Sequence, residues 1–330
     1  MENISSEQNK QRNDRARYHS MSALYRKEMA DHITSRRFVI IMLLVTATTI
    51  ASIYGALTGM SDAISSDSNF IFLKLYTTSG NSIPSFLSFI ALIGPFVGLI
   101  LGFDAINSER NNGTLNRLVS QPIYRDSVII GKFLAGGTLI SLMVISMGVL
   151  IGAIGFLSIG ILPSVEELAR VVIYLLYTIV YICFWLAMAM LFSVICRHSA
   201  TSALASIALW IFFAVFMSLL ASIIANAIYP VNNQYNAAVN TLSNYNCNLY
   251  INRISPYYLY TEAVSTILNP SVRAVNAVTM SQLVGALSSY LSLGQSMLLV
   301  WPHLTGLIAL TLGVFTISYV KFMRQEIRGN

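Results

Sequence analysis

The sequence predicts an all-α integral membrane protein with six transmembrane helices and both termini in the cytoplasm. Three observations support this prediction. First, 55% of the 330 residues are hydrophobic and only 10% are charged, whereas a soluble domain is about 25% charged. Second, six apolar runs are each long enough to cross a bilayer, which takes about 20 residues. Third, lysines and arginines are concentrated in alternate connections, as the positive-inside rule describes.

The six apolar runs contain no internal Lys, Arg, Asp or Glu, and they cover residues 38–60, 85–103, 133–157, 171–196, 199–229 and 295–320. With the N-terminus inside, 16 of the 20 basic residues are cytoplasmic, and the exceptions are Lys74, Arg170, Arg253 and Arg273. This distribution predicts a multi-pass protein of the cytoplasmic membrane. Its positive charge is expected to face anionic lipid, and no nucleic-acid partner is expected.

The chain divides into a tail and one membrane domain. Residues 1–19 are polar and charged with little to bury, so they are expected to be a disordered cytoplasmic tail. Residues 20–330 form a single six-span domain. Its longest connection, residues 230–294, lies outside between spans 5 and 6. The first half of that segment is rich in Asn, whereas residues 257–268 are apolar and predict an amphipathic helix on the outer leaflet, within an outer lid or partner platform.

Residues 20–37, before the first span, predict a helix that lies in the cytoplasmic membrane interface. Met21, Tyr25, Met29 and Ile33 recur every four residues and form an apolar stripe. The charged residues lie off this stripe, as in helices that lie at a membrane surface. The alternative interpretation is a simple basic anchor.

Small residues at a spacing of four occur in two spans. Span 2 carries Gly94, Gly98 and Gly102, and span 3 carries Gly148 and Gly152. Such glycines let helix backbones approach closely in lipid. The pattern predicts helix packing at these positions, either within one subunit or along a dimer seam.

The connection between spans 2 and 3 predicts a short helix in the cytosol. Gly113 marks a turn, Thr114 is a capping residue, and Leu115 and Leu118 share one apolar face. Pro122 ends the helix, because proline disfavours a helical residue before it. The alternative is an ordinary amphipathic connector at the membrane surface.

The sequence contains no catalytic, metal-binding or nucleotide-binding motif. Walker A, HExxH and GxSxG patterns are absent, and the three cysteines form no CxxC pair. His303, near the outer end of span 6, is expected to be an interfacial polar residue. We therefore expect a protein that is not an enzyme and binds no cofactor, so that any energy for transport must enter from another chain.

The cytoplasmic connection also resembles a known family. The residues that carry the resemblance are Phe103, Asp104, Ile106, Glu109, Arg110, Gly113, Thr114, Leu115, Leu118, Ser120, Pro122, Arg125, Gly131 and Lys132. Their order resembles the segment typical of ABC-2 type transporter permeases. Residues 26–38 are similar to the elbow helix of the same family.

The resemblance implies a permease subunit of an ATP-driven exporter. Such a subunit pairs with a second permease, identical or homologous, and with two cytoplasmic ATPase subunits that bind ATP and magnesium. Carried over by position, Glu109, Arg110, Gly113, Thr114 and Leu115 would belong to the coupling helix, and Leu118 completes its apolar face. The alternative function is a membrane-embedded sensor or assembly factor that transports nothing.

Overall fold

The computed structural model describes residues 21–66, 69–80, 82–111, 125–160, 162–230, 237–271 and 290–325. Within these ranges all regular secondary structure is helical. The helices, in chain order, are α1 (residues 21–33), α2 (Arg36–Ser66), α3 (Ile71–Thr77), α4 (Phe86–Gly102), α5 (Asn107–Asn111), α6 (Arg125–Ile159), α7 (Val165–Ile195), α8 (Ser199–Ile211), α9 (Met217–Ile228), α10 (Ala237–Asn252), α11 (Pro256–Leu268) and α12 (Leu293–Arg324). A π-helical turn, Phe212–Phe216, joins α8 to α9.

The described residues contain six helical segments that are long and apolar enough to cross a membrane. They are Arg36–Asp62, Phe86–Asn111, Arg125–Ile159, Val165–Ile195, Ser199–Ile228 and Leu293–Arg324, numbered here as spans 1 to 6. Each overlaps one of the apolar runs of the sequence, so the prediction of six spans is confirmed. Several spans extend beyond the apolar run, because flanking polar residues continue the helix.

Helix α1 and the last turn of α12 lie at the same end of the bundle, which we call the proximal end. Lys132, near the start of span 3, bonds to Glu28 of α1. Arg125, also at the start of span 3, donates to the backbone carbonyls of Phe322 and Gln325. The opposite end of the bundle is called the distal end.

Helix α7, span 4, forms the centre of the bundle. It begins with a capping box between Ser164 and Glu167, in which each side chain bonds to the other residue's backbone N–H. Four large aromatic side chains follow one another along its length at helical spacing, and all are fully buried: Tyr174, Tyr177, Tyr181 and Trp185. Helices α4, α11 and α12 pack around this helix.

The glycines of span 2 lie against span 4 of the same chain. A Cβ on Gly98 would stand 2.6 Å from the carbonyl oxygen of Ile182, and a Cβ on Gly102 would stand 2.8 Å from the carbonyl oxygen of Leu186. Gly94 meets the Ile182 side chain in the same row. The two backbones therefore approach so closely that only glycine fits at Gly98 and Gly102.

The glycines of span 3 also face elements of the same chain. Gly148 lies beneath the Leu175 side chain of α7, where a Cβ would stand 2.7 Å from a Leu175 methyl carbon. Gly152 faces Phe72 of α3 at ordinary contact distance. In the described residues, both sets of glycines thus serve packing within one subunit.

Helices α10 and α11 form a hairpin, residues 237–268, that enters the bundle from the distal end and returns. On the way in, Asn244 donates to Asn226 of α9 at 2.8 Å, and Asn248 donates to Ser222 at 3.1 Å. At the tip, the Ser255 hydroxyl donates to the carbonyl of Phe213, which lies midway along span 5. We call residues 237–268 the re-entrant hairpin.

The return helix corrects two predictions. Residues 257–268 do not lie on the outer leaflet, since Tyr260, Val264 and Ile267 are fully buried among the spans. The aromatic face that suggested membrane contact packs on Tyr181, whose ring stacks on that of Tyr260 at 4.2 Å. His303 is not an interfacial residue, because it is only 5% exposed and bonds to a carboxylate of this hairpin.

Candidate functional site

A buried ammonium group joins three elements at the proximal end. Lys132 of α6 is 6% exposed, and its Nζ lies 2.9 Å from a carboxylate oxygen of Glu28 on α1. The same Nζ lies 2.8 Å from a carboxylate oxygen of Glu109 on α5. Lys27, which is half exposed, stands 3.5 Å from Glu28 and 3.9 Å from Glu109. The two lysines and two glutamates, which we call the proximal cluster, balance each other in charge.

The electrostatics of Glu28 follow from this pairing. Burial tends to raise the pKa of its carboxyl, but the attraction and hydrogen bond of Lys132, together with the charges of Lys27 and His32, outweigh burial, so the pKa lies below its ordinary value. Helix α1 is further fixed by Leu24, which is buried against Gly131, and by the Tyr25 hydroxyl, which donates to Thr138 at 3.1 Å. The charged face of α1 is therefore held on span 3.

Helix α5 is tied separately to span 4. The Ser193 hydroxyl oxygen accepts the backbone N–H groups of Ile106 at 3.0 Å and Asn107 at 3.1 Å. Arg110 donates to the Asn107 side chain and, at 2.6 Å, to the carbonyl of Cys196. These bonds fix the start of the connection between spans 2 and 3 onto the end of α7.

A cleft of about 660 Å³ opens beside the proximal cluster, between α1 and the adjoining ends of spans 1 and 2. Its rim carries the ion pair between Arg37 and Asp104, which links the first turn of span 1 to the end of span 2. Its inner wall includes Ile41 and Leu101, and the proximal cluster forms its floor. Spans 1, 2 and 3 and helix α1 thus share one polar junction.

The structure places only two of the predicted coupling residues. Glu109 is 8% exposed and faces inward to Lys132, and Arg110 faces inward to Cys196. Both have intramolecular partners, which the sequence did not indicate. Gly113, Thr114, Leu115 and Leu118 fall in residues 112–124, outside the described residues.

The pairing of Glu28 with Lys132 was not predicted from the sequence. The available signal was positional: Leu24 and Glu28 lie four residues apart and share the face of α1 that meets span 3. That face differs from the stripe of Met21, Tyr25 and Met29, which is only half-buried here.

The fold defines a class: a helical membrane protein of six spans whose polar junction lies at one end, around a connection between spans 2 and 3. A family model described as ABC-2 family transporter protein matches residues 22–327. The chain therefore belongs to the ABC-2 transporter family, and the resemblance seen in the sequence is confirmed. It is a multi-pass protein of the cytoplasmic membrane.

Two curated relatives are similar over part of the chain. A protein named probable ABC transporter permease protein NosY, from Pseudomonas aeruginosa, is 27% identical over 201 residues, which cover 59% of this chain and 66% of that protein. A protein of the same name from Stutzerimonas stutzeri is 30% identical over 122 residues, covering 36% of this chain and 40% of that protein. The chain thus spans less than two thirds of the length of the curated relatives it matches.

Proposed function

We propose that the chain is the permease subunit of an ABC transporter, exporting a substrate with energy from ATP hydrolysed by a separate subunit. The proximal end, which holds helix α1 and the end of α12, faces the cytosol. The distribution of basic residues along the sequence supports this orientation, because the connections assigned to the cytoplasm carry 16 of the 20 Lys and Arg. Helix α1 then lies at the cytoplasmic interface, where its exposed Ile33 contacts lipid.

The observation that most supports coupling is the ion pair between Glu109 and Lys132. These residues flank the connection between spans 2 and 3 on its two sides, and their 2.8 Å contact closes its base. Glu28 adds helix α1 to the same base. Force applied to the connection by a partner therefore reaches two spans and α1 together. A connection whose base was open would absorb that force by local motion.

We place the ATPase contact on residues 108–121, with Leu115 and Leu118 in an apolar groove of the partner. Glu109 acts as a positioning residue that holds the base of this contact through its ion pair with Lys132. Arg110 has the same positioning role through its bond to the Cys196 carbonyl. The complex contains two ATPase subunits, which bind ATP and magnesium, and a second permease.

The test is co-purification of the full chain with an ABC ATPase expressed in the same cells. Leu115→Ala combined with Leu118→Ala should release the ATPase or abolish the coupling of hydrolysis to transport, since a buried Leu truncated to Ala costs roughly 2–5 kcal/mol. The matched control is Leu142→Ala with Leu298→Ala, because both leucines are more than 60% exposed on spans. The control should bind and hydrolyse as the parent does.

The outcome that contradicts the coupling site is a double variant at positions 115 and 118 that binds the ATPase and couples its hydrolysis to transport like the parent. Failure of the parent chain itself to retain any ABC ATPase would contradict the proposed function as a whole.

A further inference from the structure

A second cluster of ionisable side chains lies where the re-entrant hairpin meets span 6. Both oxygens of the Glu262 carboxylate accept bonds from the Arg253 guanidinium, each at 2.9 Å. One of those oxygens also lies 2.6 Å from Nε2 of His303 on α12. The side chains of Glu262 and His303 are 10% and 6% exposed, and that of Arg253 is 22% exposed. We call these three residues the distal cluster.

The distal cluster lies deep within the bundle. The tip of the re-entrant hairpin bonds to Phe213, midway along span 5. Tyr260, on the same helix as Glu262, bonds to Thr178 near the middle of span 4 at 2.9 Å. Ionisable groups at this depth are costly in a bilayer, and in membrane proteins they commonly mark a functional pathway.

The elements around the cluster have backbone irregularities that permit movement. His303 follows Pro302, which lacks an N–H group and interrupts the hydrogen-bond ladder of span 6. The tip of the hairpin bonds to Phe213, inside the π-helical turn of span 5, and such turns are frequent at functional sites. The hairpin thus contacts span 5 at a π-helical turn and span 6 beside a proline that removes one backbone hydrogen bond.

One atom of the cluster has no hydrogen-bond partner among the described residues. That atom is Nδ1 of His303, which is buried. A buried polar atom without a partner carries a desolvation cost, which is relieved when water reaches it. The closed arrangement is therefore less favourable than a fully satisfied network would be.

We propose that the distal cluster is the latch of an outer gate, formed by the re-entrant hairpin and opened in each transport cycle. In the closed state Glu262 holds the hairpin to span 6 through His303, while Arg253 balances its charge. When the gate opens, Glu262 separates from His303, and the face of span 4 behind Tyr260 meets water from the distal side. This inference rests on the proposed function, since it assigns the gate of that transport path.

The test measures access to span 4 from outside the cell. Thr178→Cys is introduced after the three native cysteines are replaced by serine, because Thr178 is buried behind Tyr260 and cysteine is close to it in size. A membrane-impermeant maleimide is applied to the complex in membranes, first without nucleotide and then after trapping with ATP and vanadate. In this background, labelling of position 178 should be slow without nucleotide and faster after trapping.

The latch is then removed by Arg253→Gln with Glu262→Gln, which takes away both charges and leaves no lone buried ion. Nucleotide-free labelling of position 178 should rise at least about tenfold, the shift expected when a charge-assisted hydrogen bond is lost. His303→Gln, which keeps the arginine pair, should produce a rise in the same direction. Asp62→Asn, which removes an exposed acid near the distal end, should leave the rate unchanged.

Two results would overturn the latch. One is a position 178 that is equally protected in every state of the parent and of the latch variants. The other is faster labelling of position 178 in the variants, combined with a parent whose labelling rate does not rise after nucleotide trapping. The cluster would then be a structural contact that does not open in the transport cycle. Failure of the parent to retain the ATPase would instead count against the proposed function. The two failures can be distinguished, because nucleotide-free labelling of the parent and the variants can be compared without the ATPase.

Discussion

Replacing Lys132 by methionine tests the proximal cluster most directly. Methionine keeps the length and apolar stem of lysine but removes the ammonium, which lies within 2.9 Å of carboxylate oxygens of both Glu28 and Glu109. The two carboxylates would then remain buried, with Lys27 as their remaining cation within this cluster. Because the Lys27 side chain is 52% exposed and stands farther away, its compensation is weak.

The structure sets the size of the effect. Breaking a buried ion pair by removing one partner costs about 3–5 kcal/mol, because the other charge stays uncompensated. Since Lys27 compensates in part, we expect the lower value, about 3 kcal/mol. At roughly 2–4 °C per kcal/mol for a large domain, this predicts a fall in the melting temperature of about 6–12 °C.

Thermal stability of the detergent-solubilised chain, followed by size-exclusion chromatography after heating, measures this change. Lys321→Met is the matched control, because Lys321 is exposed at the same end of the bundle and should shift the melting temperature little. Adding Glu28→Gln and Glu109→Gln to Lys132→Met should recover more than half of the loss, since no buried charge is then unpaired. If Lys132→Met melts like the parent, the cluster does not hold the proximal end together.

Three further predictions concern other parts of the bundle. The pKa of Glu28 lies below its ordinary value, so the ionised carboxylate stabilises the fold above about pH 4.5, and this stabilisation is lost as pH falls through the folded-state pKa. Melting curves should therefore show that acid destabilises the parent more than it destabilises Glu28→Gln. Gly98→Ala should sharply lower the yield of monodisperse protein, because its Cβ would stand 2.6 Å from a backbone oxygen of Ile182, whereas Gly313→Ala, with open space around it, should not. Arg170→Lys should lower the melting temperature, because one ammonium cannot replace the guanidinium bonds to Ile267, Ser296 and Leu291, and a buried carbonyl left unpaired costs about 1–3 kcal/mol.

The spans were predictable from the sequence because a bilayer imposes a length of about 20 apolar residues, which can be read directly along the chain. The glycine spacing also predicted close helix contacts. The partner helix was not predictable, since the spacing of glycines shows which face of a helix lacks side chains but does not show which helix packs against that face. Only the structure shows that Gly98 packs against span 4.

The re-entrant hairpin shows why the remaining architecture was not predicted. Its return helix is short and apolar, so the sequence predicted an amphipathic helix on the outer leaflet. Its burial depends on Arg253, nine residues before Glu262, and on His303, about forty residues after it, which together compensate the Glu262 carboxylate. The local signals were Ser255 as a helix cap and Pro256 in the first turn, which mark where the return helix begins.

Helix α7 provides the physical connection between the two clusters. At the proximal end its last turn holds α5 through Ser193, and its C-cap carbonyl holds Arg110. At the distal end the same helix holds the re-entrant hairpin through Arg170, which donates to the Ile267 carbonyl, and through Thr178. A closely packed, fully hydrogen-bonded helix moves as a unit, so a displacement of the proximal end by a partner would shift the contacts that keep the hairpin closed. Under this mechanism, Ser193→Ala should weaken the acceleration of position 178 labelling on nucleotide trapping while leaving its nucleotide-free rate unchanged, and an undiminished acceleration would show that the two ends communicate by another route.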